Sequence, residues 1–414
     1  MISFLLATIK IIFLLGFLIF IHELGHFSVA KLCKVKVNEF AIGFGPVIWK
    51  KKGKETQYEL RLIPLGGFVS MEGEEERSES ERSFSKASIP RRMAIVLAGA
   101  TVNIIFGVII YFILSTTMGT FVTNEVDLLQ EGFASQSVGI QKGDKIVEIN
   151  GNKINSGKDL NENIAQSKGE KLKIKIKRNE EIKDILVEPT EVKSKTTGIY
   201  LDEDLKIISI QKGSSAEKAG ILPNDKLIKI NNEEIKENKN RISEIIKEND
   251  VVELEVKRGK ENIKIELTPD YISNYYLGVV LKKAPDTLWN RIKGAGMNTS
   301  EFMLSIVDNI KQLFTGKVGV DQMMGPVGIS KVVAKTNGIE EFIYMMALIS
   351  LSLGVTNLLP IPALDGGKML ILIIEAIRRK PMKEETEIKI QMLGFAILIA
   401  ISIYVTYNDI LRIL

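Results

Sequence analysis

The stretch His22-Glu23-Leu24-Gly25-His26 closes an apolar run that begins at Ile2. It has the form H-E-x-x-H. In a helix, positions i and i+4 share a face, so the two imidazoles can grip one metal ion. Glu23 sits beside them and can take a proton from a water activated there. These are the only 2 histidines in 414 residues. A lone buried histidine is ordinarily a satisfied core residue, but a sole pair, four apart and enclosing a glutamate, reads as a zinc site. Zinc takes further protein ligands, commonly a carboxylate, so a third ligand is expected from another segment.

Residues 2–21 carry one charge, Lys10, and are long enough to span a bilayer. A signal peptide would have a basic start and a small-residue cleavage site; this run has neither and leads straight into the motif. Ionisable groups at membrane depth are costly and mark function. The chain is too long for one ordinary domain. Its 45% apolar content and mean hydropathy of +0.11 are high beside 26% charged residues, because charge is segregated into a Lys/Glu-rich middle. A net charge of +4 is too small to point to nucleic acid, and no such partner is expected. The single cysteine, Cys33, excludes an intrachain disulfide and lies too far past the apolar run to read as a fourth ligand.

Lys31, Lys34, Lys36 and Lys50–Lys52 follow the motif, and Arg91 and Arg92 precede the next apolar block. Positive residues flanking membrane segments stay in the cytoplasm, so residues 27–92 are expected there and the N-terminus outside. Tyr58 to Leu62 alternates like a strand, and Pro64, Gly66 and Gly67 punctuate it. This is either a β-ribbon whose edge pairs with an extended substrate or an ordinary hairpin. Glu72 to Glu81 reads as an acidic loop. Met93 to Met118 is a second membrane segment, in which Asn103 is read first as a hydrogen bond to another helix and otherwise as lining a cavity.

From about 120 to 284 the composition is that of a soluble region, outside the cytoplasm by alternation of sides. Val138–Gly151 repeats in Ala219–Asn232, and the strand-like Leu172–Arg178 in Val252–Arg258. Two copies of a β-rich module of this phrasing resemble PDZ domains, with peptide grooves expected at Gly198-Ile199 and Gly278-Val279. Residues 285–320 are amphipathic, with Leu288, Trp289, Phe302, Ile306 and Leu313 at helical spacing, and read as a helix on the membrane surface or against the second module.

Phe342 to Ile374 is a third apolar block, broken by Asn357-Leu358-Leu359-Pro360-Ile361-Pro362-Ala363-Leu364-Asp365-Gly366-Gly367. Irregular backbone at membrane depth is tolerated where it lines a buried site. A lone intramembrane Asp needs a partner, so Asp365 is taken as the third zinc ligand; the alternative is a helix N-cap. Arg378, Arg379, Lys380 and Lys383 put this end in the cytoplasm, on the same side as the histidine pair. Met392 to Val405 begins a fourth segment.

With H-E-L-G-H at 22–26, Gly43-Phe44-Gly45-Pro46, Pro64-Leu65-Gly66-Gly67-Phe68-Val69, Gly325-Pro326-Val327-Gly328-Ile329 and the 357–367 run, the chain resembles the site-2 protease family of intramembrane zinc metalloproteases, in its bacterial RseP-type branch. The resemblance spans essentially the whole chain. It implies one Zn2+ held by His22, His26 and Asp365, with Glu23 as catalytic base. It implies substrate contacts at Asn357, Pro360 and Pro362, and strand pairing along Tyr58, Leu60, Leu62, Gly66 and Gly67. The substrate would be a single-pass transmembrane protein, pre-cleaved by another protease, such as an anti-sigma factor or a remnant signal peptide. Lys368 and Ala100 depart from the residues that relatives often carry.

The expected fold is a polytopic α-helical membrane protein of about four transmembrane segments with two inserted β-rich PDZ-like domains. Its divisions are 1–118, 119–203, 204–284, 285–337 and 338–414. The expected place is the bacterial inner membrane, modules outside and active site near the cytoplasm. A non-catalytic scaffold presenting the modules is the chief rival. An ion transporter ranks last, because the second and fourth segments carry almost no ionisable residues.

Overall fold

In a computed structural model the chain divides into two compact units, Met1–Gly119 with Arg291–Leu414, and Thr120–Asn290. The described residues are 2–74, 76, 78–202, 204–235, 239–315, 324–336 and 338–413. Residues 203 and 337, at two expected boundaries, and parts of the 72–81 loop lie outside them, as does the side chain of Leu313.

Among the described residues, four helices of the first unit are long and apolar enough to cross a membrane: Leu6–Leu32, Ile89–Thr117, Gly338–Asn357 and Glu384–Leu411. The first belongs to helix α1, Ile2–Leu32, and the second is helix α2. With no water-driven force between helices in lipid, close packing needs small residues at the contact. A Cβ on Gly25 of α1 would lie 2.7 Å from the Ala98 carbonyl oxygen of α2. One on Gly107 of α2 would lie 2.5 Å from Leu351, and one on Gly354 2.6 Å from Ile104. These glycines bring α1, α2 and Gly338–Asn357 into one layer.

The third apolar block becomes two helices, Gly338–Asn357 and Asp365–Arg378. Between them Ala363 sits at φ +73°, and Cβ atoms on Gly366 or Gly367 would strike the carbonyls of Leu359 or Ile361 within 2.3 Å. The break is therefore folded back tightly on the helix that starts at Asp365. The amphipathic segment forms helix Leu288–Phe314, whose Phe302 stacks on Tyr111 of α2 at 4.8 Å.

Strands Val37–Lys52 and Gln57–Met71 fold into a twice-crossed sheet. Residues 37–42 pair with 67–71 on one side and 57–60 on the other, and 57–61 pair again with 47–52. Tyr58 and Leu60 are thus interior to the sheet, not on the edge expected for them. Tyr58 sits 6.1 Å from the ring of Phe27 on α1, so it anchors the sheet to that helix. The 67–71 and 47–52 segments are left on the two edges, and of these 67–71 is the one that borders the histidine helix. Gly66, at φ +135°, lies so close to the Phe44 ring that any side chain there would collide with it.

The second unit carries two apolar cores. One sheet runs Val279–Lys283, Val122–Leu129, Lys145–Ile149, Leu172–Arg178, Glu181–Val187; the other runs Glu233–Glu234, Lys226–Ile230, Val252–Arg258, Glu261–Leu267. Ile199–Leu201 pairs with Ile207–Ile210 and packs on the second core, whereas Leu277 and Val279 pack on the first. The linear division at 203/204 is therefore corrected: each module takes the strand expected for the other. The first module begins with Val122–Leu129 soon after α2, and among the described residues no strand lies between them to pair with it. The missing strand arrives from beyond the second repeat, along the antiparallel ribbon Thr190–Thr196 with Asp270–Tyr276.

The repeat is also chemical. Arg178 donates to Asp144 at 2.6 and 2.7 Å and to the Gly139 carbonyl at 2.7 Å; Arg258 does the same to Asp225 and Gly220. Removing one partner strands a charge whose carboxylate is 1% exposed. Arg178→Ala is expected to destabilise the first module by leaving that carboxylate unpaired; hydrogen exchange along 172–178 in the whole protein reads this out, and unchanged protection would refute it. Burial pushes the Asp144 carboxyl up, but Arg178 and the Gln141 amide outweigh it and leave it below 3.8. A depressed carboxylate stabilises fully above its unfolded value and loses that contribution as pH falls through the folded one. The wild type should therefore lose its stability advantage over Asp144→Asn below about pH 4, checked by exchange at acid pH.

Candidate metal centre

His22 and His26 lie one turn apart on α1, and their Nε2 atoms approach to 3.2 Å. Asp365, first residue of its helix, brings Oδ2 to 3.4 Å from His22 Nε2 and 3.5 Å from His26 Nε2. The three donor atoms lie within 4.8 Å of one another. Oδ2 of Asp365 is buried without a hydrogen-bond partner. An unpaired carboxylate oxygen facing two imidazole nitrogens is a poor arrangement by itself and a good one around a divalent cation. The donor set, two nitrogens and one oxygen, fits zinc with a coordination position to spare.

Helix α2 lines the other side. His26 Nδ1 lies 2.8 Å from the Ile95 carbonyl oxygen, which fixes Nδ1 as donor and frees Nε2. A Cβ on Gly99 would fall 2.3 Å from His26 Nε2 and 2.8 Å from His22 Cε1. The bare backbone at Gly99 is what leaves room for an ion.

The three donor residues and Glu23 open into a cavity of about 1380 Å³. One wall is the sheet edge, Phe68 to Met71. Gly67 lets that edge reach the base: its Cβ would come 3.1 Å from Glu23 Cγ. Lys368 Nζ bonds Glu74 at 2.7 Å and ties the loop after the sheet to the helix bearing Asp365. On the rim, Ser78, Asn38 and Lys36 donate to Glu72 and hold its carboxyl down at about 2.

Asn357, Pro360 and Pro362 are not among the cavity-lining residues, nor are Tyr58, Leu60, Leu62, Gly66 and Gly67. Asn357 ends its helix, and Pro362 packs on Gly394, where a Cβ would meet it at 2.4 Å. The Ala363 amide donates to Gln391 at 2.5 Å, so Glu384–Ile413 braces the break. Gly198 and Gly278 each sit at φ +75° at the mouth of their exchanged strands. Sequence reasoning missed Gly99 and Gln391; their only signals were a small residue in the second apolar block and an amide at the threshold of the fourth.

The profile of Peptidase family M50 matches residues 10–401. A Clostridium acetobutylicum protein described as a putative zinc metalloprotease is 32% identical over 95% of this chain and 94% of its own. The regulator of sigma E protease of Haemophilus influenzae is 27% identical over 99% of this chain and 100% of its own. The zinc metalloprotease RasP of Geobacillus kaustophilus is 26% identical over 99% of each. Among solved structures, the HtrA3 PDZ domain matches 20% of this chain and 93% of its own at 16% identity and a TM-score of 0.19. The chain belongs to Peptidase family M50. It is a zinc metalloprotease of the site-2 type.

Proposed function

We propose that the protein cuts the membrane-spanning segment of single-pass proteins, from a site held by His22, His26 and Asp365 with Glu23 as general base. The observation that carries this is the unpaired Asp365 oxygen facing both imidazoles, at the head of a cavity that Glu23 shares. Zinc bound by that donor set supplies Lewis acidity, which lowers the pKa of a water and polarises a peptide carbonyl.

Glu23 accepts the water proton and returns it to the leaving amine. A transmembrane helix keeps its backbone bonded to itself, so it must unwind before it can be cut. The 67–71 edge beside Glu23 offers replacement backbone bonds, in the manner of β-augmentation. The Asn357–Pro362 break, braced by Gln391, supports the helix that presents Asp365. The four apolar helices and the flanking positive charges support a place in the bacterial inner membrane, catalytic cavity toward the cytoplasm. The two β-modules, with their positive-φ glycines before a short strand, are read as PDZ-like and extracytoplasmic. There they screen substrates already trimmed by another protease, an anti-sigma factor or a remnant signal peptide among them.

The test is cleavage of a single-pass substrate lacking its outer domain, by purified protein with and without a zinc chelator. Cleavage abolished by chelation supports the reading. Absence of both cleavage and bound zinc would sink it in favour of a scaffold.

A further inference from the structure

Helix α2 presents residues 95, 99 and 103 at successive turns to the histidine pair. Ile95 accepts from His26 through its backbone oxygen. For His22, one turn beyond Gly99, the Asn103 side-chain nitrogen is 3.5 Å from Nδ1. Asn103 is 1% exposed, and its Oδ1 is buried without a partner. Its link to the neighbouring helix uses the backbone instead: Ser350 Oγ donates to the Asn103 carbonyl at 2.8 Å. The side chain is thus not needed for helix pairing and faces His22.

The orientation matters. If His22 binds metal through Nε2, its Nδ1 must carry the proton. An amide nitrogen facing Nδ1 would then set donor against donor. Turning the amide over, which exchanges atoms of the same shape, brings the partnerless oxygen onto Nδ1–H. We propose that Asn103 is a positioning residue: its Oδ1 accepts from His22 Nδ1–H, fixing the tautomer and ring angle that present Nε2 to zinc. The inference rests on the reading of His22 as a zinc ligand.

With only 2 histidines, selective 15N-histidine labelling yields few enough ring nitrogens to assign each. In the zinc-loaded full-length protein, His22 should show a protonated Nδ1 and a metal-bound Nε2. Asn103→Leu, similar in size, should lower zinc affinity about 10–100-fold in chelator competition and lose the fixed Nδ1–H signal. Asn103→Asp, which keeps an acceptor, should retain both. Unchanged affinity and tautomer in Asn103→Leu would overturn the inference, as would a wild-type His22 with a bare Nδ1; the latter needs no variant to fold. Stoichiometric zinc in His22→Ala would instead overturn the reading of the ligand on which this rests.

Discussion

Glu23→Gln is expected to keep one zinc per chain while cleavage falls by about 10²–10⁴-fold. The substitution preserves shape and packing against Gly67 and removes only the ability to accept a proton. His22, His26 and Asp365 are untouched, so metal analysis of the purified variant should match the wild type. Cleavage of the trimmed single-pass substrate by both proteins, side by side, is the measurement. Retained cleavage would remove Glu23 from the mechanism; lost zinc would show that the carboxylate supports the ligands rather than the chemistry.

Gly99→Ala should cost zinc itself. The added methyl group falls 2.3 Å from His26 Nε2, inside any acceptable contact, and the atoms it meets are the ring atoms that must face the ion. Either α2 withdraws or the imidazoles rotate, and both spoil the donor geometry. The loss should be at least about 100-fold, at or beyond what outer-shell changes produce. Gly296→Ala, where the added carbon meets nothing within 4 Å, is the matched control and should bind as the wild type does. Equal zinc affinity in the two variants would mean that α2 does not close the site.

The pair at 22 and 26 was legible because its spacing is local and the helix period converts it into one face. Asp365 was legible because an acid in an apolar, proline-broken stretch has few reasons to be there. Gly99 was not: a glycine in an apolar helix looks alike whether it faces lipid, a neighbouring helix or two imidazoles. Tyr58 and Leu60 misled because alternation reports a strand without saying which strands flank it. The glycines at 198 and 278, expected to mark peptide grooves, each precede a short strand, but strand pairing is non-local, and nothing near either one names the core it completes.

That exchange of strands sets an order of events. Val279 pairs with Leu129, 150 positions earlier in the chain. The second module holds its partners within 199–267, so it can close as soon as that stretch has left the ribosome. The first, though synthesised earlier, stays open until residue 283 arrives, and loop closure over such a length is slow. A chain halted after 203 would therefore contain no finished module at all, whereas excising 199–267 and joining the ribbon ends would leave the first one whole.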